Sequence, residues 1–155
     1  MSQEHTVWDP ITSQRISTLH PFIRSRVADF INEADRLGIK LRITSAYRSF
    51  AEQDALFAQG RTQPGRIVTN ARGGESIHNF GLAFDVVPMV HGQPNWNGNW
   101  PFIGALGKSF GFIWGGDWQA FPDRPHFEMN VGLSLAELRG RLNGSELDGG
   151  FVQLG

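Results

Sequence analysis

The sequence predicts an α+β fold built on a small, mainly antiparallel sheet. Helical and strand patterns interleave without the strict strand-helix-strand alternation that marks a parallel sheet. No repeat, coiled coil or interdomain linker interrupts the 155 residues. That length suits a single domain, residues 1–155, which buries about 70% of the surface of an extended chain. The core is expected over about residues 10–142, with a Gly-rich tail over 143–155.

From Pro21 to Leu37 the apolar residues Phe22, Ile23, Val27, Phe30, Ile31, Ala34 and Leu37 recur at helical spacing, with Arg24, Arg26, Asp29, Glu33 and Arg36 between them. Pro21 suits a first helical turn, where His20 can cap, and Gly38 suits the C-terminal end. Leu41 to Tyr47 then alternates as a half-buried strand. Ser49 can cap a short helix over Phe50 to Gln59 that ends at Gly60. Residues 60–77 contain five Gly or Pro and three arginines, Arg61, Arg66 and Arg72. Such a long loop is usually functional or mobile, and it reads either as a basic flap beside a site or as a plain connector.

Gly81 to Pro88 reads as a buried strand, residues 89–100 as an irregular excursion, and Pro101 to Phe110 as a helix. Phe112 to Trp114 and His126 to Asn130 are strand candidates on either side of a turn-rich stretch. Ser134 and Glu137 form a capping box for a last helix to about Leu142. The final thirteen residues are expected to fray.

Composition removes several functional classes. Fourteen Lys and Arg against fifteen Asp and Glu give a net charge of -1, which provides no general attraction to nucleic acid or to an anionic membrane. Cysteine is absent, so a metal site must use His and carboxylate donors. The first eight residues lack the basic and apolar regions of a secretion signal, and no long apolar run offers a membrane anchor. A monomer without nucleic-acid or membrane partners is expected.

Two short stretches carry the chemistry. Ser76-Ile-His78-Asn-Phe-Gly81-Leu-Ala83-Phe-Asp85 is followed some forty residues later by Asp123-Arg-Pro-His126-Phe-Glu128. Alone, His78 and His126 read as ordinary loop and strand-edge histidines. Asp85 lies between Phe84 and Val86, where a carboxylate needs a metal or an arginine as partner. Together His78, Asp85 and His126 can supply the three protein ligands of a catalytic zinc site that leaves a fourth position to water. Asp123, one turn before His126, can act as general base, with Glu128 as its rival and Asp117 ranked below both. Arg48 ends its strand where a guanidinium can clamp substrate or steady a developing negative charge. Ser76 can bind substrate or serve as a simple loop serine. His5, His20 and His91 lack neighbours at ligand spacing.

At these residues the chain resembles the zinc D-Ala-D-Ala carboxypeptidase and L-alanyl-D-glutamate endopeptidase family, peptidase family M15, and is most similar to single-domain phage peptidoglycan lysins. The resemblance rests on Ser76-x-His78-x-x-Gly81-x-Ala83-x-Asp85 and Asp123-x-x-His126. It extends to Ser45-Ala-Tyr47-Arg48-Ser49 and Trp114-Gly-Gly-Asp117-Trp118, and so spans roughly residues 40–130. It implies Zn2+ on His78, Asp85 and His126, catalysis by Asp123, and substrate or transition-state contact by Arg48. The implied fold is hedgehog/DD-peptidase-like, a small sheet carrying the metal with helices packed around it.

The implied activity is cleavage of the L-alanyl-D-glutamate bond of the peptidoglycan stem peptide, towards which the Gly-Gly-Asp-Trp segment and an aspartate at position 123 lean. Two alternatives stay open: a D-Ala-D-Ala carboxypeptidase, and a non-catalytic hedgehog-like zinc module. The resemblance also implies synthesis in the host bacterial cytoplasm and release to the wall through a separate pore-forming protein.

Overall fold

A computed structural model describes residues 6–129, 131–143, 147–148 and 151–154. His5 and Asn130 lie outside the described residues. The elements run α1 (Pro10–Ile16), α2 (Pro21–Arg36), β1 (Lys40–Ser45), α3 (Phe50–Ala58), β2 (Ala83–Val90), β3 (Gln93–Pro94), α4 (Trp100–Ser109), β4 (Phe112–Trp114), β5 (His126–Met129), α5 (Leu135–Asn143), β6 (Leu147–Asp148) and β7 (Phe151–Val152). Short 3-10 turns, Ile77–Phe80 and Gly115–Asp117, precede β2 and follow β4.

The main sheet has the order β1-β2-β5-β4, with β3 folded back on the end of β2, and every pairing is antiparallel. The α+β expectation therefore holds. Strand β2 is central, so its backbone is paired on both edges, and its alternation decides which residues see the core. Phe84 faces α2, where Phe30 lies within 6.2 Å of the rings of Phe84, Phe112 and Phe127. Such aromatic contacts add about 1 kcal/mol each beyond their area burial. Asp85 points the other way. Its register partner on β5 is His126, while Phe84 pairs with Phe127 and Ala83 with Glu128. One strand pair thus sends phenylalanines into the core and polar groups to the opposite face.

Helix α2 follows its apolar stripe, with Ile23, Val27, Phe30, Ile31 and Ala34 buried. Phe22 and Leu37 are the exceptions: 61% and 43% exposed, they stand outside the stripe that counted them. The His20 Nδ1 accepts the Phe22 N–H at 3.1 Å, so this imidazole caps the helix as expected. The Ser49 and Ser134 capping boxes also form.

Three expectations need correction. Helix α1 has no counterpart in the sequence reading. Its seven residues bury Thr12 and Ile16, and a run this short carries little periodic signal. Asp9, just before it, is buried against Arg42, which donates to its carboxylate from Nε at 2.8 Å and Nη2 at 3.0 Å. The excursion after Pro88 begins as a hairpin, because β2 continues to Val90 and pairs with β3. The C-terminal tail does not simply fray. Strands β6 and β7 pair, Val152 is buried, and its carbonyl lies 2.7 Å from His20 Nε2.

Candidate metal centre

Three chain segments converge on the polar face of β2. A 3-10 turn capped by Ser76, whose Oγ accepts the His78 N–H at 3.2 Å, presents His78. Gly81 ends that turn at φ 71, a left-handed conformation natural to glycine, and a Cβ there would stand 2.6 Å from the His20 nitrogen. The chain then enters β2 and delivers Asp85. Strand β5 supplies His126 directly opposite.

The His78 and His126 nitrogens and an Asp85 carboxylate oxygen lie within 4.8 Å of one another. His78 Nε2 is 3.4 Å and His126 Nδ1 3.2 Å from Asp85 Oδ1. The remaining nitrogen of each ring is already engaged. His78 Nδ1 donates to the Ala46 carbonyl at 2.8 Å, and His126 Nε2 donates to Glu128 Oε1 at 2.8 Å. These bonds fix which nitrogen turns inward, and such outer partners orient metal-binding histidines generally. Two neutral imidazole nitrogens and one carboxylate oxygen are the donor set of a catalytic zinc site, so the residues fit Zn2+.

The centre lies in a pocket of about 420 Å3. Arg48, Ser76, Trp118, Asp123 and Glu128 line it beside the three donors. Asp123 stands outside the donor cluster, at the rim. Its main-chain N–H donates to Gly115 O at 2.9 Å, and its carbonyl accepts the His126 N–H at 3.2 Å. Gly115 permits this approach, since a Cβ there would come within 2.4 Å of the Asp123 carbonyl. Partial desolvation of the Asp123 carboxyl at the pocket edge and the nearby Asp85 charge raise its pKa above the ordinary aspartate value, with His126, His78 and Arg48 opposing. Glu128 pairs with the His126 ring, which accounts for its place better than a role as base. Asp117 pairs with Lys108 at 2.7 Å and is not a lining residue of this pocket.

Burial lowers the pKa of the His126 imidazolium, but hydrogen bonds and charge from Asp85 and Glu128 outweigh it and push the value up to about 9. Burial likewise works against Asp85 ionisation, yet its two histidine partners hold the carboxyl well below the usual range. Metal-free protein therefore carries a proton on His126 at neutral pH, and zinc has to displace it. Because a raised pKa makes the protonated form dominant below it, apparent zinc affinity is expected to rise roughly tenfold per pH unit up to about 9 and then level off. Calorimetry at pH 7 in two buffers of different ionisation enthalpy should show about one proton released per zinc. Affinity independent of pH would refute the assignment.

Gln53, fully buried on α3, left no sequence signal as a site residue. Its Oε1 accepts from Arg48 Nη1 at 2.8 Å, and its Nε2 donates to the Ala71 carbonyl at 2.8 Å. Ser45 Oγ receives Arg48 Nη2 at 2.8 Å. Buried Asn79 adds a second tie, donating from Nδ2 to the Arg48 carbonyl at 2.8 Å. The guanidinium is thereby oriented before substrate arrives. Gln53→Leu leaves Arg48 and a backbone carbonyl short of partners, a loss of about 1–3 kcal/mol. The expected outcome is a 10- to 100-fold fall in kcat/KM with zinc affinity unchanged, checked by peptide hydrolysis and chelator competition.

Residues 60–77 do border the pocket, but through Val68, Thr69, Ala71, Glu75, Ser76 and Ile77. The basic-flap expectation is corrected here. Arg61 stacks 3.9 Å from the Phe57 ring centre and donates to the Phe57 and Thr69 carbonyls, and Arg72 lies 4.6 Å from the same ring. Arg66 is exposed and does not line the pocket.

An antiparallel sheet that gathers His, Asp and His beneath a rim carboxylate and an arginine defines a zinc peptidase centre. A family model described as D-alanyl-D-alanine carboxypeptidase matches residues 69–129. The chain is 43% identical over 124 residues to the peptidoglycan L-alanyl-D-glutamate endopeptidase CwlK of Bacillus subtilis, covering 73% of this chain and 74% of that protein. It is 33% identical over 97 residues to the L-alanyl-D-glutamate peptidase of Listeria phage A118, covering 60% of this chain but 31% of that protein. The solved L-Ala D-Glu endopeptidase ChiX of Serratia marcescens has the same fold, with a TM-score of 0.59 at 24% identity over 81% of this chain and 91% of that one. The chain belongs to the M15 zinc peptidase family of D-alanyl-D-alanine carboxypeptidases and L-alanyl-D-glutamate endopeptidases.

Proposed function

We propose that this protein is a zinc-dependent peptidoglycan endopeptidase that cuts the L-alanyl-D-glutamate bond of the stem peptide. The observation that carries the reading is the division of labour in one pocket: three inward-turned donors at its floor, and a carboxylate outside the donor cluster at its rim. Sequence identity of 43% to an L-alanyl-D-glutamate endopeptidase supports the choice of bond.

His78 Nε2, His126 Nδ1 and Asp85 would hold the zinc. When bound, zinc supplies Lewis acidity, making a water acidic enough to attack near neutral pH and polarising the scissile carbonyl. Asp123, as a carboxylate, accepts the proton of the attacking water. Its raised pKa brings it closer to the pH at which it must later give that proton to the departing amine. Arg48, held by Gln53 and Ser45, offers a fixed cation to the oxygen on which charge develops, where loss of one donor typically costs about 3 kcal/mol. Ser76 shapes the turn that carries His78 and lines the pocket through which the peptide reaches the metal.

Mass spectrometry of purified peptidoglycan after digestion tests the proposal. New N-terminal D-glutamate with L-alanine left on the sugar is the expected product. Release of terminal D-alanine alone would instead make the protein a carboxypeptidase, and zinc-loaded protein that cuts nothing would make it a binding module. A phage-lysin role, with synthesis in the host cytoplasm and passage through a separate pore, is part of the proposal. The match to the phage A118 peptidase supports it. Lysis of cells expressing the protein only when a pore-forming protein is co-expressed would bear it out.

A further inference from the structure

Asp123 also borders a second cleft of about 430 Å3, lined with it by Trp96, Asn97, Gly98, Trp100, Pro122, Arg124 and Pro125. Asp123 is common to this cleft and to the metal pocket, so the two adjoin. Trp100 is buried and donates its indole N–H to the Trp96 carbonyl at 2.8 Å, which braces the loop. Trp96 itself is 53% exposed. Asn97 and Arg124 bring polar groups to the same cleft, and among the described residues the Arg124 guanidinium has no hydrogen bond or ion pair. The neighbouring Phe121 is 84% exposed and has φ 56, a conformation that costs a non-glycine residue roughly 1 kcal/mol. Strain of this kind concentrates at functional sites.

An exposed indole beside amide and guanidinium groups suits a ligand that is apolar on one face and rich in hydroxyl, amide and carbonyl oxygens for those groups to bind. An N-acetylated sugar ring has that chemistry. In the proposed substrate the L-alanine nitrogen is joined to the lactyl carboxyl of a muramyl sugar. One residue and one lactyl unit, roughly 7 Å of chain, therefore separate the scissile bond from the ring. A sugar subsite has to adjoin the metal pocket, as this cleft does. A more apolar cavity lined by Tyr47, Phe50, Phe80 and Phe151 has no residue in common with the metal pocket and does not meet that requirement.

We infer that the Trp96–Arg124 cleft is a subsite for the N-acetylmuramyl sugar that carries the stem peptide. The inference rests on the endopeptidase reading. It makes the protein an enzyme of sugar-linked stem peptide rather than of free peptide, with Trp96 as the platform. Aromatic and arginine residues are the commonest energetic anchors of binding surfaces.

The test compares hydrolysis of an N-acetylmuramyl stem peptide with that of the same peptide bearing an N-acetyl group in place of the sugar. Wild-type protein is expected to prefer the muramyl substrate in kcat/KM by about tenfold, equivalent to about 1.4 kcal/mol. Trp96→Ala should abolish that preference, and Trp96→Phe should keep part of it. Equal rates on the two substrates in the wild type, or an unchanged preference in Trp96→Ala, would overturn the inference. Titration of N-acetylmuramic acid into 15N-labelled zinc protein gives a second readout that needs no turnover. Indole N–H shifts of Trp96 and Trp100 in the wild type, with the Trp100 shift lost in Trp96→Ala, support the subsite even if neither peptide is cut, which would sink the endopeptidase reading alone. Cleavage without any such shifts sinks the subsite alone.

Discussion

Replacing His126 by alanine is expected to remove both zinc and hydrolysis. The side chain contributes one of three protein donors, so its removal leaves two, His78 and Asp85, and takes from Glu128 the ring that it orients. Loss of an outer hydrogen-bond partner commonly weakens a metal site 10- to 100-fold, and loss of a donor should exceed about 100-fold. Asp85 also loses its nearer imidazole and keeps only His78 at 3.4 Å. Elemental analysis after dialysis, paired with an activity assay, checks the result. A variant with full zinc occupancy would take His126 out of the donor set.

Asp123→Asn should behave in the opposite way, retaining zinc while hydrolysis falls by about 10²- to 10⁴-fold. The carboxamide keeps the shape of the residue, and the contacts that position it, to Gly115 and His126, are made by main-chain atoms. Only the capacity to take and return a proton is lost. Glu128 provides the contrast: Glu128→Gln should appear first as about 10- to 100-fold weaker zinc binding, because that carboxylate orients the His126 ring. Undiminished turnover by Asp123→Asn, with hydrolysis instead abolished in zinc-saturated Glu128→Gln, would exchange the two roles.

The donor set was legible because two local rules coincide. Seven positions separate His78 from Asp85, enough for a turn ended by glycine and the start of a strand, and the alternation of β5 sends His126 and Glu128 to the face opposite Phe127. Both are short-range patterns. What escaped the sequence depends on contacts between distant segments. A glutamine on a short helix reads as a solvent-facing residue, and only the folded chain brings Gln53 against Arg48 and Ala71. By composition the loop arginines read as a basic flap beside a site, whereas the nearby Phe57 ring and backbone carbonyls occupy Arg61. The tail looked too rich in glycine to pack, but Val152 finds a buried seat beside His20. Periodicity reports which face of an element is apolar. It does not report which polar group will meet which.

The three donors are not anchored alike. Asp85 and His126 are facing residues of neighbouring strands, and their spacing is set by the ladder of the sheet. His78 rides on a short turn that ends at a left-handed glycine. A substitution that reshapes the turn over residues 76–81 would therefore displace one imidazole and leave the facing pair in register.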